Sequence, residues 1–101
     1  MWVMVLFDLP TETRKERKVA TDFRKSLLKA GYTMFQFSIY IRFCPSRENA
    51  AMHVNRVKKG LPKNGKVGIM TITDKQFKMM ELFYGKKSVP TPDGPRQLSL
   101  F

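Results

Sequence analysis

Trp2-Val3-Met4-Val5-Leu6-Phe7-Asp8-Leu9-Pro10, followed by Thr11-Glu12-Thr13-Arg14-Lys15-Glu16, is the stretch on which the reading of the chain turns. Its first six residues form a continuous apolar run rich in β-formers, the pattern of a central strand covered on both faces. Pro10 fixes its own φ and holds Leu9 extended, so Asp8 is presented at a strand end. Thr13 and Glu16 have capping-box spacing, which predicts a helix starting at Arg14. Val19, Phe23, Leu27 and Ala30 recur on one face of that helix, and Gly31 supplies a left-handed stop, so it runs from about Arg14 to Ala30. A carboxylate at the end of a first strand, directly before a helix crowded with Arg and Lys, points to phosphate chemistry or phosphate binding.

From Tyr32 to Phe43, Phe35, Phe37, Ile39, Ile41 and Phe43 alternate with Gln36, Ser38, Tyr40 and Arg42, a strand signal. Twelve residues is long for one strand, so a bend or break is expected near Gln36-Phe37-Ser38. Pro45-Ser46 caps a second helix carrying Ala50, Val54, Val57 and Leu61, which Gly60 and Pro62 end. Asn64-Gly65 is a turn signal, and Lys66 to Ile72 reads as another strand. Thr73 to Phe77 reads as a single helical turn before a last short strand, Met80 to Tyr84. The order β-α-β-β-α-β with an extra C-terminal edge element is an α+β, ferredoxin-like plan, with two helices on one face of an antiparallel sheet. The other face is left bare. A second copy is the simplest cover for so many strand aromatics, which predicts a homodimer.

Residues 1–84 are expected to form this domain and residues 85–101 an extended tail, rich in Gly, Lys and Pro and without a core of its own. The tail ends in Gln97, Leu98, Ser99, Leu100 and Phe101, a compact apolar peptide suited to docking. One mode is strand addition to an exposed sheet edge, on the dimer partner or on another protein. The other rests on similarity to the short peptide by which bacterial replication and repair proteins bind the DNA sliding clamp.

A chain of 101 residues makes one domain and buries only about 60–65 % of its unfolded surface, so a partner subunit would add much. Nineteen Lys and Arg against eight acids give a net charge of +11 and a pI near 10.2, a balance that favours an anionic partner such as nucleic acid. Cys44 stands alone, which excludes an internal disulfide and suggests a reducing cytoplasm. The amino-terminal apolar run is too short to span a bilayer and lacks a basic leader and a cleavage site, so no membrane partner is expected.

A step of 100° per residue places Arg14, Arg17, Lys18, Lys25 and Lys29 within about a third of the first helix's circumference, opposite the apolar stripe. This ridge, with Arg42, Arg47, Arg56, Lys58, Lys59, Lys63 and Lys66 extending it, is suited to tracking a phosphate backbone. No RNP1-like aromatic pair predicts base stacking on an open sheet. Asp8 is the candidate catalytic and metal-binding carboxylate. Its alternative is a turn-forming or capping role. Mg²⁺, or another divalent cation, takes one or two carboxylates and keeps several waters, so a site shared across a dimer dyad, with one Asp8 from each subunit, is adequate. Ser38 lies in sequence where it would line a cleft near Asp8, without the His or Lys arrangement that makes a nucleophile. His53 has no metal-ligand spacing and reads as a surface or interface residue rather than a general base. The sequence has no Walker motif, zinc-ligand set or dinucleotide fingerprint.

Met4-Val5-Leu6-Phe7-Asp8-Leu9-Pro10-Thr11-Glu12-Thr13, the basic helix through Phe23-Arg24-Lys25, Gln36-Phe37-Ser38-Ile39-Tyr40 and Ile72-Thr73-Asp74-Lys75-Gln76-Phe77 together resemble the small CRISPR-associated adaptation proteins of the Cas-two family. The similarity covers almost the whole chain. It is greatest to the type II versions, among them subtype II-C, whose members end in a similar Gln-Leu-x-Leu-Phe peptide. The resemblance implies a ferredoxin-like homodimer described as a metal-dependent endoribonuclease or nuclease. It also implies a role in antiviral spacer acquisition, bridging two dimers of the CRISPR integrase on a double-stranded protospacer. The family's strand-end aspartate falls on Asp8, and a magnesium role carries over to that residue alone.

Two function classes follow. In one, a basic dimer scaffolds duplex DNA and integrase. In the other, the same dimer hydrolyses phosphodiesters of RNA or DNA with Asp8, its dyad mate and Mg²⁺. Charge, shape and docking strands support binding more directly than turnover, for which no general base is evident. A free-standing, toxin-like ribonuclease of the same fold is a third reading.

Overall fold

In the computed structural model the described residues are 1–95, so the docking peptide at residues 97–101 lies outside them. The elements are β1 (Trp2–Asp8), α1 (Arg14–Lys29), β2 (Thr33–Gln36), β3 (Ile39–Phe43), α2 (Arg47–Lys59), β4 (Lys66–Ile72), α3 (Asp74–Lys78), β5 (Leu82–Tyr84) and β6 (Lys87–Val89). Four strands make one antiparallel sheet in the order β2-β3-β1-β4. This is the ferredoxin-like α+β arrangement. No helix among the described residues is long and apolar enough to cross a membrane.

Local chemistry explains the boundaries. The Thr13 hydroxyl accepts from the Glu16 amide at 3.1 Å and the Glu16 carboxylate accepts from the Thr13 amide at 2.9 Å, closing the expected capping box. Ser46 caps α2 through the Asn49 amide, and Thr73 with Gln76 makes a second capping box on α3. The long aromatic stretch breaks where it was expected to, at a Phe37-Ser38 turn between β2 and β3, with a register shift between Met34 and Gln36.

Strand alternation divides the sheet into two unlike faces. Val3, Val5 and Tyr40 point toward the helices and join Phe23, Leu27, Tyr32, Cys44, Ala50 and Val57 in one buried cluster. Each large apolar side chain so buried contributes about 1.5–3 kcal/mol. On the opposite face Trp2, Ile41 and Phe77 form a second cluster, where the Trp2 and Phe77 rings stack with centroids 4.4 Å apart. The short helix α3 therefore covers one end of the face expected to be bare. Toward the other end, Met70 is 48 % exposed.

Three expectations are corrected. β5 does not join the edge of the four-stranded sheet within the chain but pairs with β6 in a two-stranded ladder. The segment beyond Tyr84, expected to be extended, is held onto the domain: Thr91 Oγ1 donates to the Met80 carbonyl at 2.7 Å, Lys78 pairs with Asp93 at 2.8 Å, and Pro92 is buried. His53, expected to be a surface or interface residue, is buried at 3 % exposure within the chain because Ala50, His53 and Val57 share the inward face of α2.

Candidate nucleic-acid interface and the Asp8 carboxylate

Asp8 is the last residue of β1, and two neighbours fix its position. The ring of Phe7 meets Phe23 of α1 edge-on at 5.2 Å and stacks on Tyr40 of β3 at 5.7 Å, which locks the strand immediately before the carboxylate. On the other side Gly65, at φ +93°, brings the start of β4 against the Asp8-Leu9 backbone. A Cβ there would lie 2.9 Å from the Asp8 carbonyl oxygen and 2.7 Å from Leu9 Cδ2, so only glycine fits.

The Asp8 side chain belongs to the face away from α1 and α2 and is exposed. Lys66 is its antiparallel partner across β1 and β4. Both line a shallow depression of about 410 Å³ together with Leu6, Phe37, Ser38 and Gly68. Ser38 thus sits beside Asp8. Among the described residues no three His, Cys, Asp or Glu side chains converge as a metal cluster. One chain offers one carboxylate here.

The members of the expected cationic ridge are not equivalent. Arg14, Lys25 and Lys29 are exposed. Arg17 Nη1 donates to the carbonyls of Thr11 and Glu12, both at 3.1 Å, and so fastens the loop that follows Asp8. Lys18 pairs with Asp22 at 2.9 Å one turn on. Arg42 is set apart from the ridge. Alternation puts it on the helix-covered face, where its guanidinium abuts Gly31 and its Nε is buried. Its surroundings are Tyr32, Cys44 and His53, whose titrations all respond to its charge. Burial pushes the Tyr32 hydroxyl up to about 12, raises the Cys44 thiol and lowers His53, the last helped by the charges of Arg42 and Arg56.

Residues 1–80 match the family described as CRISPR associated protein Cas2. This chain belongs to the Cas2 family. It is 65 % identical over its whole length to a CRISPR-associated endoribonuclease Cas2 of Flavobacterium psychrophilum, covering 88 % of that protein. It is 50 % identical, with both chains covered in full, to the protein of that name from Parvibaculum lavamentivorans. A third relative with that name, from Paracidovorax avenae, is 45 % identical over all of this chain and 94 % of its own.

Sequence reasoning did not single out Phe37 as a site residue, yet it is 87 % exposed beside Asp8. The signal was present: a large aromatic at the point where the strand pattern had to break. Lys66 was counted only as added charge. Its pairing with Asp8 follows from the register of β4, which a single sequence does not specify.

Proposed function

We propose that this Cas2-family protein acts in CRISPR spacer acquisition as a basic homodimer that binds double-stranded protospacer DNA and scaffolds two integrase dimers. The observation that carries this reading is a contrast in supply. Exposed cations are abundant along α1 and α2, whereas Asp8 is the one carboxylate among the described residues that line its depression. Backbone binding needs only the former. The half-exposed Met70 side of the sheet gives a second copy an apolar surface to cover. Residues 97–101 would serve as a docking peptide, for integrase first and for the DNA sliding clamp as the alternative. A reducing cytoplasm is the compartment in which the lone buried Cys44 stays free.

Metal-dependent hydrolysis of RNA or DNA is the second reading, favoured by the endoribonuclease name shared by the relatives. The donor set fits Mg²⁺ only as a shared site: an exposed strand-end carboxylate from each copy, with waters completing the shell. When bound there, the ion would lower the pKa of a coordinated water. This chain's own part is to hold Asp8 rigidly through Phe7 and Gly65 and to set the Lys66 ammonium near the entering phosphate.

The test is integration in a reconstituted mixture of integrase and protospacer duplex, comparing wild type with Asp8→Ala and with a chain truncated after Arg96. Normal integration by Asp8→Ala with failure of the truncated chain is expected. Loss of integration by an intact Asp8→Ala dimer would put metal chemistry first. Neutralising Arg14, Lys25 and Lys29 together should lower the slope of log affinity against log salt by about three for each subunit whose ridge contacts the duplex.

A further inference from the structure

The carboxyl-terminal ends of α1 and α2 flank one groove of about 320 Å³. Ser26, Lys29 and Ala30 of the α1 end stand on one side of it, and Arg56 and Gly60 of the α2 end on the other. Its floor is Leu27 and Val57, which belong to the buried cluster beneath the helices. The groove therefore opens on the helix side of the sheet, away from the face that a second copy would cover. Its polar character is one-sided. No Asp or Glu lines it, and neither Lys29 nor Arg56, both exposed, enters an ion pair among the described residues. The Ser26 hydroxyl is already spent on the Phe23 carbonyl at 2.6 Å. A Cβ added at Gly60 would meet nothing nearer than the Val57 carbonyl oxygen at 3.9 Å, so the missing side chain leaves room that the fold does not need filled.

We infer that this groove docks a segment of a partner protein in which a leucine- or phenylalanine-sized side chain is flanked by acids. The apolar side chain would lie on Leu27, Ala30 and Val57, and the carboxylates would pair with Lys29 and Arg56. Cations suit the last turn of any helix, where they offset its dipole, but that role asks for no apolar floor between them. A duplex backbone seeks protruding cations, as on the α1 ridge, and gains nothing from Leu27 or Val57. An acidic segment with one apolar anchor uses both halves of the groove. The site owes nothing to the nucleic-acid reading, so either can fail alone.

The experiment measures binding of the full chain to two fluorescein-labelled peptides of equal charge, Asp-Glu-Phe-Glu-Asp and Asp-Glu-Ser-Glu-Asp. Wild type should prefer the phenylalanine peptide by about 10- to 150-fold, the worth of burying one such side chain. Gly60→Phe fills the groove without touching its charge and should erase that preference, as should Ser26→Phe on the opposite wall. Arg56→Gln should weaken both peptides by about 1.5- to 5-fold. Duplex DNA affinity in Gly60→Phe should stay at the wild-type value. Equal binding of the two peptides by wild type overturns the proposal, because only the chain's general positive charge would then be at work. So does a full preference retained in both Gly60→Phe and Ser26→Phe, which would put the apolar contact elsewhere. A loss of duplex affinity in Gly60→Phe overturns it in favour of a nucleic-acid surface. A change in molar mass by light scattering in Gly60→Phe, or loss of the peptide preference in a chain truncated after Arg96, overturns it in favour of a second copy or of this chain's own tail.

Discussion

The two faces of the sheet are built to different standards. Under α1 and α2 the buried side chains run without interruption from Val3 to Val57, while the opposite face is closed only where Phe77 of α3 stacks on Trp2. The closed part of that face lies at the Trp2 end of β1 and the open part toward Asp8. One face thus makes the fold, and the other keeps apolar surface in reserve beside the candidate carboxylate.

That contrast can be broken by mutation. Trp2→Ala should cost about 3–5 kcal/mol in chemical denaturation, as large a loss as a helix-side core residue gives, because Trp2 is buried despite belonging to the less covered face. Leu27→Ala, beneath α1, should cost about 2–5 kcal/mol; a loss well below Trp2→Ala would mean that the small cluster, not the large one, dominates. Lowering the pH probes the helix side alone. Burial, then Arg42 and Arg56, hold folded His53 below its ordinary 6.5, so the unfolded chain takes up the proton first. Stability should be intact above pH 6.5 and fall below it, by at most about 1.4 kcal/mol per pH unit, until folded His53 itself titrates. His53→Gln should remove that slope in a denaturation series. Met70→Ala should be the mildest change, within about 0.5 kcal/mol at low protein concentration. A loss that grows with protein concentration would show that a second copy covers Met70.

Much of this was legible because it is local. Thr13 with Glu16, Ser46, and Asn64-Gly65 each announce a boundary through the hydrogen bonds or backbone angles those residues favour, and each boundary is where they put it. Asp8 at a strand end followed from the apolar run and Leu9-Pro10 alone. The missed features depend on register or on a competing pattern. His53 was read from its lack of metal-ligand spacing, when its spacing from Ala50 and Val57 placed it inward. Arg42 shares parity with Tyr40, so its helix-side position was available from alternation but was overridden by its charge. The β5–β6 hairpin was hidden because Gly85-Lys86 was taken as the start of a linker, although two residues beginning with Gly are a common hairpin connection.

The position of β1 has a consequence in time. It lies between β3 and β4, and its seven residues find their β4 partners about 60–70 positions later in the chain. During synthesis the apolar run from Trp2 to Phe7 therefore emerges well before β4 and waits, half-satisfied at best, until Ile72 has been made. A ribosome stalled before β4 would present that run, beside a basic helix, to whatever chaperone or nucleic acid is near. The strand that finally presents Asp8 is thus completed only when β4 has been made.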